Sequence, residues 1–352
     1  MFLLEQAAYP AAQSLLKDLS STHVAIAAVL DGIIEGEVWV DRAVQPRVAL
    51  LANGDAYYLA GLPDEAADRF AELKELIPDW AYFFVEDRWS DRLGDIWSNG
   101  FARPHPRVRM GLPAVSHGLT ATALPDGFRL VQIDQSLLDL GPGNIKTVTD
   151  LMEGWASPEV FLENAIGFCV LHDGSIVSHC ATDSVSGTRC EVGVGTEPAY
   201  RRLGLGKAAA AATIAECVKR GRPDIEWHTH ASNKGSIAIA NSIGLIERDR
   251  HVAYSGNLPA ENVGDLDLDT CREWGLHLER ASDHINWYRF HATGAWTLAG
   301  DRTRALANLR QLVDGGWEGE AEWLEGYWAV QSLVDDPEFK AIVAKQHAIS
   351  EA

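Results

Sequence analysis

The sequence predicts an α+β protein, with two sheet-bearing segments in tandem and an all-helical tail. Three observations carry this reading. Short β-prone runs are joined by the turn pairs Asn53-Gly54 and Asp173-Gly174, both strong hairpin signals. Between these runs lie stretches with apolar residues at helical spacing, and beyond residue 260 the strand signals stop. A chain of 352 residues exceeds what one hydrophobic core organises, so three domains are expected, over 1–115, 116–260 and 261–352.

In chain order, helical runs cover 11–19 and 23–34, and β-prone runs at 37–40, 48–52 and 57–60 form a small antiparallel meander. Pro63 and the spacing of Ala66, Phe70 and Leu73 mark a helix, followed by an aromatic-rich strand at 80–85. Pro104, Pro106 and Pro113 make 102–116 a linker or crossover. From Phe128 the order is strand, short helices, then strands at 166–171, 176–181 and 190–194. A helix over 204–219 stops at Gly221 and Pro223; a strand at 225–230, a helix at 234–242 and a strand at 245–254 complete the segment. In the tail, 287–298 and 303–313 form a helical hairpin turning at Gly300-Asp301. Trp296, Ala305, Leu309 and Leu312 stand roughly where one tetratricopeptide-type (TPR-like) repeat keeps its apolar positions.

Composition excludes several classes of function. Thirty basic against fifty acidic residues give a net charge of -20, which opposes binding to nucleic acid or anionic membrane and favours cationic partners. The five cysteines are odd in number and contain no C-x-x-C pair, so they read as reduced and buried, with neither a disulfide framework nor a zinc knuckle. No signal-like or membrane-length apolar run occurs, which makes the cytoplasm the expected compartment.

The informative run is Glu191-Val-Gly-Val-Gly-Thr-Glu-Pro-Ala-Tyr-Arg-Arg-Leu-Gly-Leu-Gly206, followed by Lys207 and an alanine-rich helix. Amides at a helix start lack intrahelical partners and carry the positive dipole end, so they bind phosphate; glycine removes the Cβ that would keep it away. A P-loop fails, because Arg201 stands at its first glycine and Ala208 at its Ser/Thr. A Rossmann fingerprint places Gly204, Gly206 and Ala209 with Glu226 downstream. Its first glycine should end a strand, however, and residues 197–203 intervene.

The order strand, Pro-containing loop, Arg201-x-x-Gly204-x-Gly206 resembles motif A of the GNAT N-acetyltransferase superfamily. Residues 233–245 are similar to its second cofactor segment, with Leu245 in place of the usual Phe. Within the superfamily the chain looks most like the zwittermicin A resistance group. That likeness rests on Ile166-Gly167-Phe168, Glu191-Val192-Gly193, Tyr200-Arg201 and the N-terminal 36–41 and 58–61 patterns. The resemblance implies a GNAT-like mixed sheet with flanking helices, preceded by a degenerate GNAT-like half-domain, and acetyl-CoA as co-substrate.

It places Val192, Gly193, Val194 and Thr196 along the pantetheine, and the amides of Arg202, Leu203, Gly204, Leu205, Gly206 and Lys207 at the pyrophosphate, with charge added by Arg201, Arg202 and Lys207. Asn233 and Ser236 fall where family members contact the cofactor, Asn233 being equally suited to a plain helix cap. An alkylamine with a pKa near 10 must lose a proton before attack, so a base is required. Glu191 holds the family's acidic position; the bland alternative is an exposed strand glutamate. The family's tyrosine acid is replaced by Ala240, leaving Tyr254, His228 and His230 as substitutes. His228 and His230 share a strand face, but no third ligand is evident and no metal is expected. The expected activity is acetyl transfer to the amine of a small molecule, an antibiotic or a metabolite, with the oligomeric state open to a homodimer. The alternative is a degenerate acyl-CoA-binding protein whose tail docks a partner.

Overall fold

The computed structural model describes residues 1–113 and 122–350, so the boundary expected at 115/116 lies outside the described residues. The chain divides into two compact units. The first comprises Met1–Ser98, Arg107–Thr229 and Gly235–Ala253; the second comprises Asn99–Pro106, His230–Lys234 and Tyr254–Ala352.

The strands are β1 (Phe2–Leu3), β2 (Glu37–Val40), β3 (Val48–Asn53), β4 (Ala56–Gly61), β5 (Tyr82–Val85), β6 (Arg103–Gly111), β7 (Arg129–Gln132), β8 (Gly167–His172), β9 (Ser175–Ser186), β10 (Arg189–Thr196), β11 (Asp224–His230) and β12 (Ile246–Ser255). They form one sheet in the order β1-β2-β3-β4-β5-β12-β6-β11-β10-β9-β8-β7. The β3–β4 hairpin turns at Gly54-Asp55, one residue past the expected pair, with Gly54 at φ +57°. Asp173 and Gly174, both at positive φ, close β8 onto β9 as a type I′ hairpin would. The expected antiparallel meander is β2–β3–β4, and β5, reached by a helical crossover, extends it by pairing with β4 in parallel.

The proline-rich stretch read as a linker is instead a strand over most of its length, Arg103–Gly111. Val108 and Met110 are buried in alternation with half-buried Arg107 and Arg109, while Pro104 and Pro106 fall on exposed positions near the strand start. The prolines masked a period-two pattern.

Helices α1 (Gln13–Thr22), α2 (Val24–Leu30), α3 (Phe70–Leu76), α4 (Leu93–Ile96), α5 (Gln135–Leu140), α6 (Lys146–Met152), α7 (Pro158–Asn164), α8 (Leu205–Lys219) and α9 (Lys234–Ser242) accompany these strands. α8 packs on β8, β9 and β10. Its run Ala208–Ala211 has no side chain longer than a methyl, so the helix lies close to the sheet; Thr213 Oγ1 donates to Cys180 O at 2.9 Å. The buried Trp89, Trp227, Phe83 and Phe161 anchor the apolar core, each contributing roughly 2–3 kcal/mol of burial. All five cysteines are buried and unpaired, as expected.

The second unit holds α10 (Leu268–Ser282), α11 (Tyr288–Leu298), α12 (Arg302–Asp314), α13 (Ala321–Gly326) and α14 (Pro337–Ser350). The hairpin of α11 and α12 turns where expected. Gly300 takes φ +76° and Asp301 caps α12 by accepting from Arg304 N at 3.0 Å. Trp274 and Trp296 are core residues here, packed with Leu278 and Tyr288 or with Leu309 and Phe339. Among the described residues no helix is long and apolar enough to cross a membrane.

Candidate active site

β10 and β11 run in parallel but pair only at Arg189↔Asp224, Cys190↔Ile225 and Glu191↔Glu226. Beyond Glu191 the strands part, and β10 continues to Thr196 paired with β9 alone. Residues 192–196 therefore present unpaired backbone groups along an opening in the sheet, the arrangement an extended ligand needs to bind as an added strand. All four pantetheine candidates, Val192, Gly193, Val194 and Thr196, lie on this edge.

The two faces of β10 differ. Val194 and Thr196 point towards the start of α8: a Cβ on Gly206 would sit 3.0 Å from Thr196 Oγ1 and 3.4 Å from Val194 Cγ2, so only glycine fits without displacing them. Gly204 occupies the N-cap at φ +81° without a side-chain cap, and Arg202 is left-handed at φ +68°. Ala208 N is the first helical amide bonded back, to Gly204 O at 3.0 Å; those of Arg202 to Lys207 take no partner among the described residues. This leaves a cradle of free N–H groups at the positive end of α8. Leu203 is exposed beside it, Leu205 is buried and anchors the helix start, and Lys207 is half-buried. Arg201 donates from Nε to Thr196 O at 3.3 Å, which ties the loop to the end of β10.

The opposite face of β10 carries Glu191, Gly193 and Gly195. Here β9 contributes an acid that the sequence reading missed. β9 bulges opposite Glu191 and Val192, and the extra residue is Asp183. Its carboxylate lies over Gly193, where an added Cβ would stand 2.7 Å from Oδ2; His179 lies over Gly195 in the same way. Asp183 as a whole is solvent-exposed, and its carboxyl is the part packed among protein atoms. That lost hydration, with the nearby Glu191 carboxylate, pushes its pKa up to about 8. A bulge residue facing a glycine of the neighbouring strand has no local sequence signature, which is why it went unseen.

These features coincide with what known proteins show. The sequence model of the GNAT acetyltransferase family matches residues 13–254. The chain is a GNAT acetyltransferase. It is similar to the N-acetyltransferase YdfB of Bacillus subtilis (strain 168), 26% identical over 234 residues that span 64% of this chain and 88% of that one. In fold it resembles a GCN5-related N-acetyltransferase-like protein from Streptococcus suis 89/1591, with a TM-score of 0.55 and 24% identity, covering 71% of this chain and 98% of that one. GNAT enzymes draw their acetyl group from acetyl-CoA, and the open edge of β10, Gly206 and the free amides fit its pantetheine and pyrophosphate.

The remaining candidates of this GNAT enzyme are scattered. Ser236 Oγ accepts from Trp227 Nε1 at 2.8 Å in the first unit. Asn233 belongs to the second unit, where it is buried and bonded to Glu261, and Tyr254 is half-buried at the end of β12. Ala240 is fully buried.

His228 and His230 part company. His230 lies in the second unit, 3.9 Å from Glu261 and with its ring 5.5 Å from that of His105. His228 instead meets His23, at the α1–α2 junction, and His251 of β12, with ring centroids 4.9–5.2 Å apart in every pairing. The structure thus does not complete a His228–His230 pair; it gathers His228 with two other imidazoles, one of them from more than two hundred residues away. Burial, reinforced by His228, holds the His23 imidazole well below its ordinary pKa and that of His251 down to about 3. Glu226, the acid of the rejected Rossmann reading, is buried behind this cluster. It accepts from Arg189 Nη2 at 2.6 Å and from Val24 N at 3.1 Å.

Proposed function

We propose that this enzyme transfers the acetyl group of acetyl-CoA to a primary amine of a small cationic molecule by direct attack within a ternary complex. The observation that carries the reading is the acid-lined glycine face of β10, beside the edge where β10 and β11 part. Acetyl-CoA supplies an activated thioester; the chain supplies position and proton transfer. Val192 to Thr196 hold the pantetheine and the amides of residues 202–207 hold the pyrophosphate.

The Asp183 and Glu191 carboxylates attract an ammonium group and suit a cationic acceptor. Asp183, titrating at about 8, takes the proton from the amine as it attacks; lost hydration keeps that pKa high, and like-charge repulsion from Glu191 adds to it. A base near the working pH combines availability with driving force. Buried Ala240 offers no proton to the leaving sulfur, so solvent supplies it. The buried cysteines offer no nucleophile, which favours direct transfer over an acyl-enzyme. The likeness to the zwittermicin A resistance group supports an aminated antibiotic or related metabolite as acceptor, and the five free thiols support a reducing, cytoplasmic setting.

Steady-state CoA release against a panel of polyamines, aminoglycosides, amino acids and peptide amines tests this. The expected result is turnover with a small polycationic amine and none with peptide N-termini. Calorimetric binding of acetyl-CoA without turnover on any amine would support a protein that only binds the thioester.

A further inference from the structure

The acetyl-transfer reading makes no use of the three imidazoles of His23, His228 and His251. One ring nitrogen from each lies within 4.8 Å of the other two. The three residues reach this point from separate elements: the turn between α1 and α2, β11 and β12. They sit against Tyr58 and Phe84, whose rings lie 5.2 and 4.6 Å from that of His23. His228 Nδ1 and both ring nitrogens of His251 are buried without a hydrogen-bond partner, so the rings do not satisfy one another. Buried polar atoms are normally paired, and orphans gathered at one point need an explanation.

His228 supplies the decisive detail. Its Nε2 faces Glu226 Oε2 at 3.4 Å, a contact that favours the Nε2–H tautomer and leaves the buried Nδ1, which has no hydrogen-bond partner, with a free lone pair. A carboxylate that orients an imidazole from behind is the usual support of a metal-bound histidine. Glu226 is held in turn by Arg189 and the Val24 amide. Two guanidinium groups, Arg107 and Arg109, oppose positive charge at this cluster, and Arg109 is offset by its ion pairs with Asp249 and Glu226.

We propose that His23, His228 and His251 form a binding site for a divalent transition-metal ion of the zinc class, with Glu226 as the positioning residue behind His228. Imidazole suits zinc, copper, nickel or cobalt and disfavours magnesium or calcium, which require oxygen. Ligands at roughly 2.0–2.1 Å from zinc stand about 3.4 Å apart in a tetrahedron, so binding draws the rings inward by about an ångström. The ion would clamp the α1–α2 junction to β11 and β12.

The test uses the full chain, stripped with chelator and titrated with Zn2+, Co2+ and Mg2+. The expected results are one Zn2+ per chain by calorimetry, a visible Co2+ spectrum of four- or five-coordinate type, a melting temperature raised by Zn2+, and no heat with Mg2+. His228→Asn and His251→Asn should each weaken Zn2+ binding at least about 10-fold, and Glu226→Gln should weaken it less. His347→Asn, at a half-buried histidine of the second unit, should leave it unchanged. Absence of stoichiometric Zn2+ binding, or binding undiminished in the His228 and His251 variants, would overturn the proposal. If those variants fail to fold, the wild-type Co2+ spectrum decides, since a six-coordinate aqua-like spectrum contradicts a three-imidazole site.

Discussion

On one face of β10, Val194 and Thr196 meet Gly206 at the start of α8, and every part comes from one short run, residues 191–206. On the other face, Glu191, Gly193 and Gly195 meet Asp183 and His179 of β9, joined by no local motif. The first face is a backbone device: free amides, a left-handed glycine and a missing Cβ. The second is a side-chain device whose behaviour depends on burial and on a neighbouring charge. On the proposed reading, cofactor binding and proton transfer fall on opposite faces of a single strand, and each should fail alone.

Asp183→Asn gives the largest expected effect. Turnover should fall by about 10²–10⁴, the usual worth of a positioned general base, while acetyl-CoA binding measured by calorimetry stays within a few-fold of wild type. Gly206→Val attacks the other face. Its branched side chain meets Thr196 and Val194, so acetyl-CoA affinity should fall by about 10-fold or more, the equivalent of roughly 1.4 kcal/mol. If Gly206→Val left the affinity intact, or Asp183→Asn weakened cofactor binding as strongly as turnover, the separation of the two faces would not hold.

A smaller effect concerns stability. Folding raises the Asp183 pKa above its unfolded value near 3.9, so the folded state binds more protons between about pH 4 and 8, and stability declines as pH rises through that window. Asp183→Asn removes that decline. Its melting temperature should match wild type at pH 4 and exceed it at pH 8, by a margin kept small by the solvent that reaches Asp183.

What was legible in the sequence follows the same division. Turn pairs, the glycine motif and the period of α8 are local, and local signals place β3–β4, β8 and α8 to within a residue, whereas β9 runs on to Ser186, beyond the expected end at 181. Asp183 was unreadable because a bulge shifts register only relative to a partner strand. The three histidines were unreadable as a group because residue 23 meets residues 228 and 251 through sheet order alone. Pro104 and Pro106 misled for a related reason: proline signals interruption locally, whereas a strand tolerates it where no ladder bond is asked of it.

In the proposed mechanism Asp183, its pKa raised by lost hydration and further by the Glu191 charge, removes the proton from the attacking amine. The most direct measurement is the pH dependence of kcat/KM for wild type and for Glu191→Gln with an amine substrate of known pKa. The account predicts a wild-type limb near pH 8, with activity rising as Asp183 loses its proton, and a limb displaced to lower pH once the Glu191 charge is gone. A limb at the same pH in both proteins, persisting in Asp183→Asn, would contradict it.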